Sequence, residues 1–474
     1  MAASKTQDLH ILFFPLMAPG HMIPMVNMAK LFSRRGVRAT ILTTPANATL
    51  IQPTINNLPI ELAIIPFPSA AAGLPAGCEN SADVPSPALM PNFIQALAML
   101  SQPFEQVLKE LHPNVTITDA FIPSTIHVTS KLRIPQLVFH GIGFFSMCLS
   151  DALSSFNHHE TLPTETESFV VPGIPHKIQL LKTQIPDFSK FGKEMQDSLL
   201  SNKENATRSY GVVVNSFYKL EPDYIEHYRM VMGRRAWHIG PLSLCNEDNI
   251  DRDHSMHADE ECLVWLEEKQ PDSVLYVCFG SLSVFSVEQL REIALGLEAS
   301  KHPFIWVLPK VVKTDEEMDW MPEGYEERIE GKGLIMRRWA PQVLILNHRA
   351  VGGFLTHCGW NSTLEAVCAG VPMVTWPLIG DQFSNERLIV DVLGIGVAVG
   401  IKEYVMNQDH DRALIHAMEI ERAVSCVMNG GEEFEGMRSR ARELGKLAKR
   451  AVEEDGSSYL ELTRLIHELQ GLSP

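Results

Sequence analysis

Short apolar runs alternate with helix-like stretches along this chain, twice over, and that rhythm most restricts what it can fold into. In the first series, residues 10–14, 38–43, 61–67, 115–119, 136–139 and 212–215 read as strands, with 22–35 and 97–111 as helices among them. Strands separated by helices argue for a parallel sheet covered on both faces. A polar run at 244–261 breaks the rhythm and has the composition of a linker. Its Asp248, Asp251 and Asp253 read as a solvated acidic stretch, not a metal clamp. A second series follows, with strands at 273–279, 304–308, 333–336, 352–356 and 371–376, a helix at 287–300, and a mostly helical pattern from about 413. The expected fold is α/β. The expected division is an N-terminal α/β domain over 1–243, a linker over 244–259 and a C-terminal α/β domain over 260–474, whose last helix can pack back on the first domain. Two such sheets facing each other would leave a cleft at their strand C-termini, where this architecture binds ligands.

The 474 residues are too many for one core and comfortable for two. A formal charge of −17 argues against nucleic acid as a partner and disfavours anionic membrane surfaces. No apolar run reaches the ~18 residues of a membrane span. The apolar run after Asp8 lacks a basic flank and is broken by Pro15 and Pro19, so it reads as a first strand entering a loop, not a signal peptide. The 8 cysteines are scattered, as free thiols in a reducing compartment are. The expectation is a cytoplasmic monomer with no integral membrane association.

The most informative local stretch, GGFLTHCGWNSTLEA at 352–366, reads as strand, tight turn, helix. Gly359 lets the backbone turn closely, and Asn361, Ser362 and Thr363 open the helix. A helix start offers unpaired N–H groups and a positive dipole end, which suits a diphosphate. His357 can add a donor before the turn. Glu365 lies one turn after Asn361 on the same face, where a carboxylate can hold the two hydroxyls of a ribose. The same shape recurs more weakly at Phe279, Gly280 and Ser281. Neither stretch is a GxGxxG fingerprint or a GxxxxGK[ST] loop, which disfavours a nicotinamide enzyme and a P-loop ATPase. Asn361 and Ser362 serve equally as an ordinary cap, and Trp339 taken alone reads more readily as packing than as a stacking platform.

A neutral histidine suits proton abstraction from a hydroxyl near pH 7. His21 follows the first strand in a Pro- and Gly-shaped loop, and Asp119 ends another strand of the same sheet. A carboxylate on the far imidazole nitrogen would fix the tautomer and stabilise the imidazolium. From pattern alone, His21 reads more readily as a loop histidine bonded to backbone than as a base. His10, His127, His158 and His159 read as surface or packing residues.

The stretch from Trp339 to Gln382, with HCGWNS and the closing DQ, resembles the signature box of the plant secondary-product glycosyltransferases that use UDP-sugars. PLMAPGHMIPM, GLPAGCEN, VFHG and CFGSLS extend the resemblance from end to end, within the subgroup acting on flavonoids, triterpenoids, steroids and other phenolics. The resemblance implies the GT-B fold, two facing Rossmann-like domains with the acceptor held mostly by the first and the donor by the second. It implies that Trp339 stacks on uracil, Ala340 and Gln342 hold the uridine, and Glu365 binds the ribose. His357, Asn361, Ser362 and Ser281 would hold the diphosphate, and Trp360, Asp381 and Gln382 the sugar. It makes His21 the general base and Asp119 its partner, in an inverting single displacement that needs no metal and no cofactor beyond UDP-glucose as donor substrate. Gln382, where galactosyl enzymes of the family tend to have His, resembles the glucose-using version and so implies glucose as the sugar. Ile142 departs from the family's usual Thr or Ser and puts one donor contact in doubt.

The 69–91 stretch, rich in Pro, Ala and Gly, reads as a long loop beside a binding face. With the following helix and 140–147 it supplies Leu74, Leu89, Met90, Phe93, Ile94, Phe144 and Phe145, an apolar wall for a flat aglycone, half or more of it ordinary core. Leu89, Phe93, Ile94, Phe144 and Phe145 are the acceptor candidates. The competing readings are C-glycosylation, another UDP-sugar, a UDP-sugar epimerase, and a non-catalytic nucleotide-sugar-binding protein.

Overall fold

The computed structural model describes residues 9–122, 125–156, 167–187, 192–244, 256–281, 283–308, 320–337, 339–405, 412–429 and 431–472. Asp248, Asp251, Asp253, His158 and His159 lie outside the described residues.

Strand β1 (His10–Phe14) is buried along its whole length, as a strand covered on both faces must be. Its alternate side chains feed two cores. Ile11 and Phe13 pack with Met25, Ala29 and Phe32 of the helix Pro19–Arg34, and with Leu462, Leu465 and Leu469 of the helix Ser457–Gln470. Leu12 and Phe14 join Phe93, Leu97, Phe104 and Leu108 on the other face.

After β1 come β2 (Arg38–Thr43), β3 (Ile60–Ile64), β4 (Val115–Asp119), β5 (Gln136–Phe139), the antiparallel pair β6 (Ser168–Val170) and β7 (Gln179–Leu181), β8 (Gly211–Val214) and β9 (Ala236–His238). A seven-stranded parallel sheet takes the order β3-β2-β1-β4-β5-β8-β9. The second series is β10 (Val274–Cys278), β11 (Phe304–Val307), β12 (Gly333–Met336), β13 (Val351–Thr356), β14 (Met373–Thr375) and β15 (Gly396–Ala398). It forms a six-stranded parallel sheet in the order β12-β11-β10-β13-β14-β15. Both orders reverse direction once, between β1 and β4 and between β10 and β13. A doubly wound sheet places its ligands at that reversal, beyond the strand C-termini.

The described residues fall into two compact units. Met1–Phe144, Asp187–Ile250 and Arg450–Pro474 make one, and Phe145–Pro186 with Asp251–Lys449 the other. No described helix is long and apolar enough to cross a membrane.

Several expectations from sequence need correction. The helix expected at 97–111 is two, Met90–Met99 and Ser101–Leu111. Pro103 has no N–H to carry the ladder back across the junction. The first sheet does not end at 212–215, because β9 follows β8. β9, β15, β6 and β7 have three residues each, too few to show a period in sequence. The loop expected around His21 is the first turn of the helix Pro19–Arg34, with Pro19 at the helix start, where a missing N–H costs nothing.

Candidate active site

In the first unit, the reversal between β1 and β4 brings together two residues far apart in sequence. His21 sits one turn into the helix that leaves β1, and Asp119 is the last residue of β4. His21 Nδ1 and Asp119 Oδ2 are 2.8 Å apart, the aspartate side chain fully buried and the histidine 24% exposed. Asp119 Oδ1 accepts from the Phe121 amide at 2.9 Å, which fixes the carboxylate plane. The Phe121 ring meets the imidazole edge-on at 5.4 Å. A third wall is Gly141. A Cβ there would lie 3.0 Å from His21 Cε1 and 3.1 Å from Nδ1, and φ of +72° further favours glycine. The imidazole is therefore held by a carboxylate, a ring and a bare backbone, with its Nδ1 committed to Asp119. Burial lowers the pKa of neighbouring His140 from 6.5 to about 4; Asp119 opposes the shift, while Arg234 and His21 add to it. His140 is a neutral group at physiological pH. Phe121, Gly141 and His140 were not singled out from sequence, because only the fold brings them to the imidazole.

In the second unit, the turns after β10 and β13 lie at the other reversal. Thr356 ends β13, Cys358 adopts φ of +64°, and the helix Trp360–Ala369 starts with Gly359 as its N-cap at φ of −59°. The turn expected of Gly359 is thus made by Cys358. What Gly359 supplies is space, since a Cβ on it would stand 2.4 Å from His357 Nε2. Gly280 does the same from the β10 turn, where a Cβ would stand 2.8 Å from that atom. The His357 ring is pressed between two glycine backbones, and burial lowers its pKa from 6.5 to about 4. Its buried Nδ1 has no hydrogen-bond partner among the described residues.

One turn along that helix, Ser362 and Glu365 share a donor. Gln342 Nε2 donates to Ser362 Oγ at 3.0 Å and to Glu365 Oε2 at 2.6 Å, and its Oε1 accepts from the buried Tyr276 hydroxyl at 3.3 Å. Trp339 is 63% exposed, so its ring face is open to a ligand. This corrects the packing reading of Trp339. Ala340 and Trp360 are buried, whereas Ser281, Asn361, Ser362 and Asp381 are partly exposed.

The loop after β14 is pinned by its own residues. Gln382 Oε1 accepts from the Leu378 and Ile379 amides at 2.7 and 2.9 Å. Its amide NH2 is the group it has left to offer. The Tyr404 hydroxyl accepts from the Gly380 amide at 3.1 Å, and Asp381 Oδ2 accepts from Asn385 Nδ2 at 2.8 Å.

Of the acceptor candidates, Phe93, Phe144 and Phe145 are buried, as is Leu74. Phe93 packs beside Phe67 and Phe144 edge-on to Tyr228. Leu89 lies partly buried against the same core as Phe93, and Met90, Ile94 and Ile142 are partly exposed. His10 is buried and bonded to Thr40, and His127 is on the surface beside Glu204.

Residues 193–428 match the family model described as "UDP-glucoronosyl and UDP-glucosyl transferase". The chain is 48% identical to UDP-glucose flavonoid 3-O-glucosyltransferase 7 of Fragaria ananassa, over 100% of this chain and 98% of that protein. It is 46% identical to scopoletin glucosyltransferase of Nicotiana tabacum, over 98% and 99%. Among solved structures, a Glycyrrhiza uralensis UGT complexed with glycyrrhetinic acid 3-O-monoglucuronide superposes with a TM-score of 0.91 at 37% identity, over 98% of this chain and 96% of that one.

Proposed function

The chain belongs to the UDP-glucoronosyl and UDP-glucosyl transferase family, is an enzyme of the UDP-glycosyltransferase class with the GT-B fold, and from that premise we propose that it moves glucose from UDP-glucose to a hydroxyl of an apolar aglycone, a flavonoid, other phenolic or terpenoid, with inversion. The carrying observation is the His21–Asp119 pair at 2.8 Å, set where the first sheet reverses.

The acceptor hydroxyl loses its proton to His21 Nε2 as its oxygen attacks the anomeric carbon. Asp119 holds the Nδ1 proton and stabilises the imidazolium that forms. The bond from the anomeric carbon to the UDP oxygen breaks on the opposite face, and the electron pair leaves with UDP. The start of the helix Trp360–Ala369, with Asn361, Ser362 and neutral His357, meets the charge gathering on the diphosphate. One displacement inverts the centre, so an α-linked donor gives a β-glycoside. Trp339 stacks on the base, Ala340 and Gln342 hold the uridine, Glu365 takes the ribose hydroxyls, Ser281 adds a phosphate contact, and Trp360, Asp381 and Gln382 face the sugar. Leu89 and Ile94 are the acceptor candidates that retain exposed surface. The N-terminal domain, 1–243, carries the acceptor and the C-terminal domain, 260–474 apart from the helix Ser457–Gln470 that completes the first core, carries the donor, in a cytoplasmic monomer. The names of the relatives, which act on a flavonoid and on scopoletin, support this acceptor class.

The test is incubation with UDP-glucose and a panel of flavonoids, simple phenols, terpenoids and steroids, read by mass spectrometry, with His21→Ala as control. A hexosylated product that vanishes in the variant, while UDP binding stays within a few fold, supports donor and base together. Transfer at the starting rate in the variant removes His21 as base. Fragmentation separates O- from C-glycosides, and a donor-only incubation exposes an epimerase.

A further inference from the structure

Asn385 lies on the helix Gln382–Arg387 and is fully buried. Its amide is committed on every side that the structure displays. Nδ2 donates to the Cys358 carbonyl and to Asp381 Oδ2, each at 2.8 Å, and Oδ1 accepts from the Ser146 hydroxyl at 2.9 Å. The nitrogen faces two acceptors, so the amide has one sensible orientation. The two partners of Nδ2 are not ordinary ones. Cys358 is the left-handed residue of the turn that launches the helix Trp360–Ala369, and Asp381 is the carboxylate beside Gln382 in the pinned loop. One buried side chain thus ties the diphosphate turn to the sugar-facing carboxylate, and Ser146, on the helix Phe144–Phe156, braces it from behind.

We propose that Asn385 is a positioning residue of the donor-sugar subsite, holding the Asp381 carboxylate in the orientation that receives the sugar hydroxyls. The proposal rests on the reading above that Asp381 contacts the sugar. Its chemistry is specific. Asparagine is a near-isostere of aspartate, but Asn385→Asp replaces two N–H donors by an oxygen that faces a carbonyl and a carboxylate. Asp381 is then repelled from its seat. Lower pH returns a proton to the paired carboxyls, and with it one donor, so the defect shrinks on acidification.

Calorimetry of UDP-glucose and of UDP, on the parent protein and on Asn385→Asp, Ser146→Ala and Asp381→Ala, tests this, with circular dichroism as the folding check. UDP lacks the sugar and is blind to Asp381. The expected result for Asn385→Asp is a roughly 10–100-fold loss of UDP-glucose affinity, the range of a hydrogen bond to a charged group. UDP affinity, which feels only the lost bond to the Cys358 carbonyl, should fall by a clearly smaller factor, within roughly threefold, and the UDP-glucose loss should be smaller at pH 5 than at pH 8. Equal losses for the two ligands, or parent-like affinity for both, overturn the proposal. If Asn385→Asp does not fold, Ser146→Ala decides. It keeps both Nδ2 bonds but unlocks the amide, and should weaken UDP-glucose alone by roughly 3–10-fold; no change for either ligand overturns the proposal. If Asp381→Ala itself binds UDP-glucose like the parent protein, the sugar-contact reading fails instead.

Discussion

His21 shows how one side chain is specified from three directions, two of which, the carboxylate and the bare backbone, are open to separate tests. Asp119→Asn keeps the shape at the imidazole but removes the charge that stabilises an imidazolium. We expect kcat to fall by ~10²–10⁴-fold with little change in KM for UDP-glucose, as measured by steady-state kinetics. Gly141→Ala places a methyl 3.0 Å from His21 Cε1, tight enough that the ring must give by a few tenths of an ångström, at a φ of +72° that an alanine adopts only with strain. A small shift of the imidazole should lower kcat by roughly 3–10-fold, well under the ~100-fold of a 1 Å misplacement. Calorimetry of UDP on the same variant should match the parent protein. In the second unit Trp339, exposed though large and apolar, makes the converse case. Trp339→Ala should weaken UDP by ~1–3 kcal/mol, the usual value of a base stacked on an aromatic ring.

Among elements, the helix Ser457–Gln470 shows that distant sequence completes the first unit's core. Leu465 and Leu469 are fully buried in the core that contains Ile11 and Phe13, and the Ser458 hydroxyl donates to the Gly240 carbonyl at 2.5 Å. Leu465→Ala should cost ~2–5 kcal/mol by urea denaturation, the range for a buried leucine whose cavity collapses only in part. The helix Trp360–Ala369 carries a different lesson. Its start is aimed by Cys358 and kept open by Gly359 and Gly280, so two glycines matter here for the space they leave around His357.

For the whole molecule, buried histidines set an acid limit. Burial lowers His140 to about 4, His238 to about 3 and His357 to about 4, from 6.5 in the unfolded chain. Between those values the unfolded chain binds protons that the folded chain refuses. Their stabilising contribution is complete above about pH 6.5 and is lost as pH falls towards 4. The urea midpoint should therefore drop between pH 7.5 and pH 5, and a flat midpoint would mean these rings protonate in place. Much of this protein was legible as sequence. The strands 10–14, 38–43, 115–119 and 136–139 carry their signal in local apolar runs, and the structure keeps their bounds. The glycine-bearing turn and the polar helix start at 357–365 are equally local, since a turn and a cap are decided by neighbours within a few residues. The three-residue strands β6, β7, β9 and β15 escaped because so short a segment has no period, whereas the equally short β14 is legible in the longer apolar run around it. Phe121, Gly141 and Tyr276 escaped because each acts on a residue that the chain brings near only by folding, and Asn385, four residues from Asp381, escaped because its bonds to Cys358 and Ser146 exist only in the fold. The sequence by itself determined two doubly wound parallel sheets, the residue types at their reversal points and a resemblance strong enough to predict a family. Tertiary structure alone decided that His21 meets Asp119 across 98 residues, that Trp339 is left exposed, and that Asn385 joins a turn to a carboxylate. Strand order, not proximity along the chain, determines which side chains share a sheet reversal.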